Sequence, residues 1–116
     1  MDIGCGVGRH AIYLQEKGFD VIGIDNSPLA VEVSKLRGLK NIKLIPIEKI
    51  PLKIGTFENI LMLGNNFGLF GNYNKARRLL KKFHRITSNN ALIIAETDDP
   101  YNTTNPDHID YHKNNR

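Results

Sequence analysis

The sequence predicts an α/β fold on a mostly parallel, doubly wound sheet, with helices on both faces in a three-layer arrangement. Three observations carry that prediction. Short runs rich in Ile, Val and Leu alternate with helical segments along most of the chain, the pattern of strands joined by right-handed crossovers. A glycine-rich turn separates the first run from the first helical segment. The length of 116 residues, with 41% hydrophobic content, supplies one domain and excludes two.

Taken in order, Met1 to Ile3 is the end of a strand, and Gly4-Cys5-Gly6-Val7-Gly8 is the turn. Arg9 to Lys17 follows as a helix with Ala11, Ile12 and Leu14 apolar and Gly18 as its stop. Phe19 to Ile24 reads as a short strand closed by Asp25. Ser27-Pro28 then provides an N-cap and a first-turn proline for a helix whose apolar positions are Leu29, Val33 and Leu36, ended by Gly38. Ile42 to Ile47 is a strand that Pro46 confines to a sheet edge or to its own end. Glu48 to Thr56, with Pro51 and Gly55, reads as loop.

Phe57 to Leu63 is an apolar strand of the kind buried on both faces of a parallel sheet. Gly64-Asn65-Asn66-Phe67-Gly68 breaks it. Residues 75–87 form the clearest helix, with Ala76, Leu79, Leu80, Phe83 and Ile86 on one side and a basic, solvated face opposite, Lys82 included. Ser88-Asn89-Asn90 turns the chain into a strand from Ala91 to Thr97. These elements define a ligand-binding domain over 1–97; residues 98–116 are polar and read as loop or as a connection to a further part. Ligands of such sheets are expected at the carboxyl ends of the strands.

Composition narrows the classes of function. No stretch approaches the ~20 apolar residues that span a bilayer, and the start of the chain lacks a secretory pattern, so no membrane partner and a cytoplasmic location are expected. A single cysteine and four scattered histidines argue against a disulfide or a metal site. The net charge of +4 permits nucleic acid as a partner but supports it weakly.

Glycines at alternate positions let backbone amides approach a ligand closely, beside the open N–H groups of the first helix. A nicotinamide site wants G-x-G-x-x-G, whereas here the third glycine comes one residue early, at Gly8. Asp2, two residues ahead of Gly4, disfavours a phosphate and suits a cation. A ligand with an ammonium and a carboxylate satisfies both the aspartate and the helix amides. Asp25, 21 residues after Gly4, sits where a carboxylate accepts from both ribose hydroxyls. Cys5 reads as a small hydrophobe within the turn, since no His or Asp is placed nearby in sequence to activate it as a nucleophile.

The pair of segments Asp2-Ile3-Gly4-Cys5-Gly6-Val7-Gly8-Arg9 and Val21-Ile22-Gly23-Ile24-Asp25-Asn26-Ser27 resembles the first two motifs of the class I S-adenosylmethionine-dependent methyltransferases. The resemblance implies a Rossmann-like domain with S-adenosylmethionine as cofactor, covering residues 2 to about 97. It implies that Asp2, Gly4, Cys5 and Gly6 hold the methionine part, that Asp25 binds the ribose and that Asn26 lines the adenine pocket. Family members often end the third strand with an acidic residue; the matching position here is Pro46 or Ile47, with Glu48 just beyond, so Glu48 or a backbone group is expected to meet the adenine. By position alone, Leu63 and Gly64 are expected against the cofactor, and Asn65 and Asn66 against the acceptor. No catalytic base is identified.

The acceptor, a small molecule or a macromolecule, is unspecified, and the Asn/Asp-Pro-Pro-aromatic signature of amino-methylating nucleic-acid enzymes is missing. Only three residues precede the turn, and the family continues beyond the fifth strand, so the resemblance implies a fragment of marginal stability. A non-catalytic cofactor-binding module is the alternative reading, and an NAD(P)-dependent oxidoreductase a weaker one.

Overall fold

The computed structural model describes residues 1–99; His108, Asp110 and His112, among the polar residues of the tail, lie outside them. The elements are β1 (Asp2–Ile3), α1 (Arg9–Glu16), β2 (Gly23–Asp25), α2 (Pro28–Leu36), β3 (Ile42–Leu44), β4 (Phe57–Met62), α3 (Tyr73–Arg85) and β5 (Thr87–Ala95). Single 3-10 turns occupy Ile47–Lys49, Leu52–Ile54 and Asn66–Phe70. All strand pairings are parallel, in the order β3-β2-β1-β4-β5. The chain therefore reverses its direction of winding between β1 and β4, the topological switch point where such sheets bind ligands.

Register divides the side chains between two faces. Asp2 lies opposite Gly23 and Leu61, and Gly23 opposite Ile42, so these four share one face; Ile3 and Ile24 share the other. On the second face Met1, Ile3, Ile24, Ile60 and Met62 form one buried cluster with Leu79, Phe83 and Ile86 from α3 and its C-cap. On the first face Ala11 of α1 and Val31 of α2 close over Val21, Leu39 and Ile42. Helices cover both faces at β1 and β2, as the alternation of elements predicts.

Ends and faces differ from the sequence expectation in instructive ways. β3 is the edge strand that Pro46 demands, stopping at Leu44. α3 starts two residues early because Asn72 caps it, its side chain accepting from the Lys75 N–H at 2.8 Å. Ser88 to Asn90 belong to β5 as a three-residue bulge, since Phe57 pairs with Thr87 but Asn59 with Leu92. α2 does not bury Leu29 and Leu36, which are 69% and 82% exposed; Val31 and Ser34 face inward instead. The reason is polar: the Ser34 hydroxyl donates to the Gly6 carbonyl at 2.8 Å, which fixes the rotation of the helix. β4 is buried on one face only. Ile60 and Met62 are fully enclosed under α3, while Leu61 is half-buried on a face that no described helix covers at that point.

Candidate functional site

Gly4, Gly6 and Gly8 all take positive φ (69°, 58° and 85°), the region where a Cβ is strained, so the turn needs glycine on backbone grounds alone. Space adds to this at Gly4, where a Cβ would lie 2.6 Å from Nδ2 of Asn66. The turn is braced from α2: Ser34 bonds the Gly6 carbonyl, and Nη1 of Arg37 donates to the Val7 carbonyl at 2.9 Å. α2 and α3 are capped by the side chains of Ser27 and Asn72, whereas no side chain caps α1. The first-turn N–H groups of α1 and its positive dipole end therefore remain available to an anion.

Asp25 ends β2 with its carboxylate already oriented. One oxygen accepts from the Gly6 N–H and the other from the Ser27 N–H, each at 2.9 Å. A carboxylate offers roughly four lone-pair directions, so the group keeps acceptor capacity while being fixed to the turn. A cavity of about 150 Å³ opens beside it, at the carboxyl ends of β1, β2 and β3. Of the residues expected at the site, the structure brings Gly4, Asp25, Asn26, Glu48 and Asn66 to this cavity, with Ile45, Pro46 and Ile47 forming its far wall. Two larger depressions lie elsewhere, along α3 and beneath the bare sheet face. Neither joins a glycine turn to a carboxylate.

Other expected residues stand apart from the cavity. Asp2 is only 2% exposed, on the face shared with α1 and α2, and its Oδ2 is the buried side-chain oxygen among the described residues that has no hydrogen-bond partner. Burial pushes its carboxyl up to about 6, with His10 and the amino terminus opposing and Asp25 reinforcing the shift. Cys5 packs against Gly23, and burial with the neighbouring carboxylates pushes its thiol up to about 12, which leaves it inert at neutral pH. Gly64 donates to Oε1 of Glu96 at 3.2 Å, and Asn65 accepts from the Asp98 N–H at 2.9 Å, tying the end of β4 to the exit of β5. Leu63, half-buried, links β4 to this loop.

Asn66 reaches the other way. Its Nδ2 donates to the carbonyls of Ile3 and Gly4, at 3.0 and 2.8 Å. Glu48 is engaged as well: Nζ of Lys75 bonds and pairs with its carboxylate, holding it below its ordinary range, and Nζ of Lys82 donates to its carbonyl at 3.0 Å. Two lysines of the face expected to be purely solvated thus anchor the cavity wall. Ser34, Arg37, Lys75 and Lys82 are the working residues that sequence reasoning missed. None of them lay on a face that the apolar spacing marks as buried, so no local signal pointed to them.

Matches to known proteins agree with this geometry. Residues 1–95 match the family described as a methyltransferase domain. A glycine/sarcosine N-methyltransferase of Parasynechococcus marenigrum is 24% identical over 83% of this chain and 36% of its own length. A Bacteroides fragilis S-adenosylmethionine-dependent methyltransferase, crystallised with S-adenosyl-L-homocysteine, superposes with a TM-score of 0.75 at 33% identity, over 92% of this chain and 45% of its own. A TehB-like enzyme of Corynebacterium glutamicum shares the fold, with a TM-score of 0.72 at 22% identity over 97% of this chain and 61% of its own. The chain therefore spans about a third of the curated relative and under half of the Bacteroides protein. With its switch-point cavity, its glycine turn and a family match that covers most of its length, this chain belongs to the methyltransferase domain family.

Proposed function

We propose that the switch-point site binds S-adenosylmethionine and that the chain is the cofactor-binding portion of an enzyme that methylates a small-molecule or macromolecular acceptor. The observation that carries this reading is the Asp25 carboxylate, pinned by the Gly6 and Ser27 amides at the cavity mouth with lone pairs to spare for two sugar hydroxyls. The residues present fit the cofactor. The Gly4–Gly8 turn is a backbone cradle, the uncapped α1 suits the methionine carboxylate, and Asn26 with the Ile45–Glu48 wall suits the base. Asp2 acts from within the fold, its carboxylate adding negative potential beneath the turn that favours a cationic ligand.

When bound, S-adenosylmethionine supplies a methyl on a positively charged sulfur, so the leaving group needs no activation from the protein. The chain's own part is alignment and exclusion of water, a contribution that positioning alone makes large. A cytoplasmic site of action is part of this proposal. Calorimetry with S-adenosylhomocysteine tests the reading: saturable one-site binding supports it, and tighter binding of a dinucleotide in its place sinks it. Binding without transfer of a radiolabelled methyl group to any acceptor would favour the alternative, a non-catalytic cofactor-binding module.

A further inference from the structure

The cavity of about 150 Å³ is smaller than the roughly 300 Å³ at which small-molecule pockets begin. A nucleoside with an amino-acid tail must extend beyond this enclosed space or widen it. The Asn66 side chain lines it at the glycine turn. Its carboxamide serves two carbonyl acceptors at the end of β1, Ile3 and Gly4, and lies so close to the turn that Gly4 has no room for a Cβ. Two converging carbonyls are a receptor for a polar N–H group. A carboxamide brings two donors and no charge, whereas an ammonium brings three donors and a charge, and charge-assisted bonds are about twice as strong. The unpartnered oxygen of Asp2, on the strand that leads into the same turn, adds a negative charge that a neutral amide leaves unanswered.

The backbone that carries Asn66 is held to the sheet, since the Phe67 N–H donates to the Glu96 carbonyl at 3.1 Å. Asn65 sits in the left-handed region at φ 68° and is tied to the β5 exit through its own side chain. Displacing the Asn66 carboxamide, at the start of the Asn66–Phe70 turn, therefore takes a rotation of its side chain and leaves β4 in place. We propose that Asn66 is a built-in occupant of the site for the cofactor's ammonium. Its carboxamide holds the Ile3 and Gly4 carbonyls in the free chain and is displaced on binding, so Asn66 weakens cofactor affinity instead of contributing to it. This inference rests on the cofactor reading above and moves Asn66 from the acceptor side to the cofactor side.

The test compares the full chain with Asn66→Ala by calorimetry, using S-adenosylhomocysteine and 5′-methylthioadenosine, which keeps the nucleoside but has no ammonium. Displacement predicts that the variant binds S-adenosylhomocysteine about five- to ten-fold tighter, the scale of one lost competing hydrogen bond, with less than about two-fold change for methylthioadenosine. Equal or weaker binding of S-adenosylhomocysteine by the variant, or an equal gain for both ligands, overturns it. A second measurement needs no substitution: the Asn66 side-chain NH2 signals of the unaltered chain must shift and lose hydrogen-bond protection at saturation with S-adenosylhomocysteine. Unchanged signals at saturation overturn the inference even if the variant fails to fold. Failure of the unaltered chain to bind S-adenosylhomocysteine overturns the cofactor reading itself, a separate outcome visible in the first titration.

Discussion

The two halves of the sheet are built from similar residues and treated differently by the fold. In the β3-β2-β1 half, α1 and α2 close one face and the α3 cluster the other. Polar links from Ser34, Arg37 and Asp25 stitch the glycine turn to both neighbouring elements. In the β4-β5 half α3 closes one side of β4, while β5 is exposed on both sides, with Ile93 at 40% even beside the buried Ile60. Leu92 and Ile94, in register with Asn59 and Leu61, are 61% and 47% exposed on the open side. Apolar composition alone does not bury a strand. Burial follows from which helices the connections place over each face, and β5 stays exposed although it carries Leu92, Ile93 and Ile94 in succession.

This contrast sets a scale of expected effects. Phe83, 1% exposed beneath both halves, is the largest fully buried side chain, so Phe83→Ala should cost about 3–5 kcal/mol in urea denaturation. A loss below 1 kcal/mol would mean that α3 is not seated as described. Next comes Asp2, whose carboxyl is held near 6 by burial, against an ordinary value of 3.8. The folded state therefore keeps this proton to higher pH than the unfolded chain does. Stability from this group is fully present below pH ~4 and falls as pH rises towards ~6, by up to about 3 kcal/mol. Asp2→Asn should flatten that limb of the stability-pH curve, and an unchanged curve would show that the group is not desolvated.

Smaller effects separate the site from its surroundings. Asp25→Ala should weaken S-adenosylhomocysteine binding by about 1.5–3 kcal/mol, the range of a hydrogen bond to a charged group, with Arg78→Ala on the exposed face of α3 as the neutral control. Lys82 is unsuited as that control, because it holds the Glu48 carbonyl. Equal losses from Asp25→Ala and Arg78→Ala would detach Asp25 from the site. Last, Leu92→Thr and Ile94→Thr should change stability by less than about 0.5 kcal/mol, as for exposed positions, while raising solubility by reducing an apolar edge. A large destabilisation would show that the open face is covered in solution.

Much of the fold was legible because its signals are local. Alternating runs and helical periods fixed the number, type and order of the elements, Ser27-Pro28 set the start of α2, and Pro46 marked β3 as an edge. The spacing of Asp2, the three glycines and Asp25 identified the turn and the carboxylate beside it. The face of α2 was misread because its apolar positions are not its buried ones. A hydroxyl bonded to the turn 28 residues away decides the rotation of that helix.

Backbone chemistry within a dozen residues is what the sequence alone determined: the strand-turn-helix order, the need for glycine at the turn and the carboxylate at the end of β2. Tertiary structure decided which polar groups meet, because their partners are far apart in the chain and only packing sets the distance between them. The Asn66 carboxamide reaches the Gly4 carbonyl across 62 residues, and Lys75 meets Glu48 across 27. The burial of Asp2 has the same origin, since a carboxylate loses its water only when helices and neighbouring strands close around it.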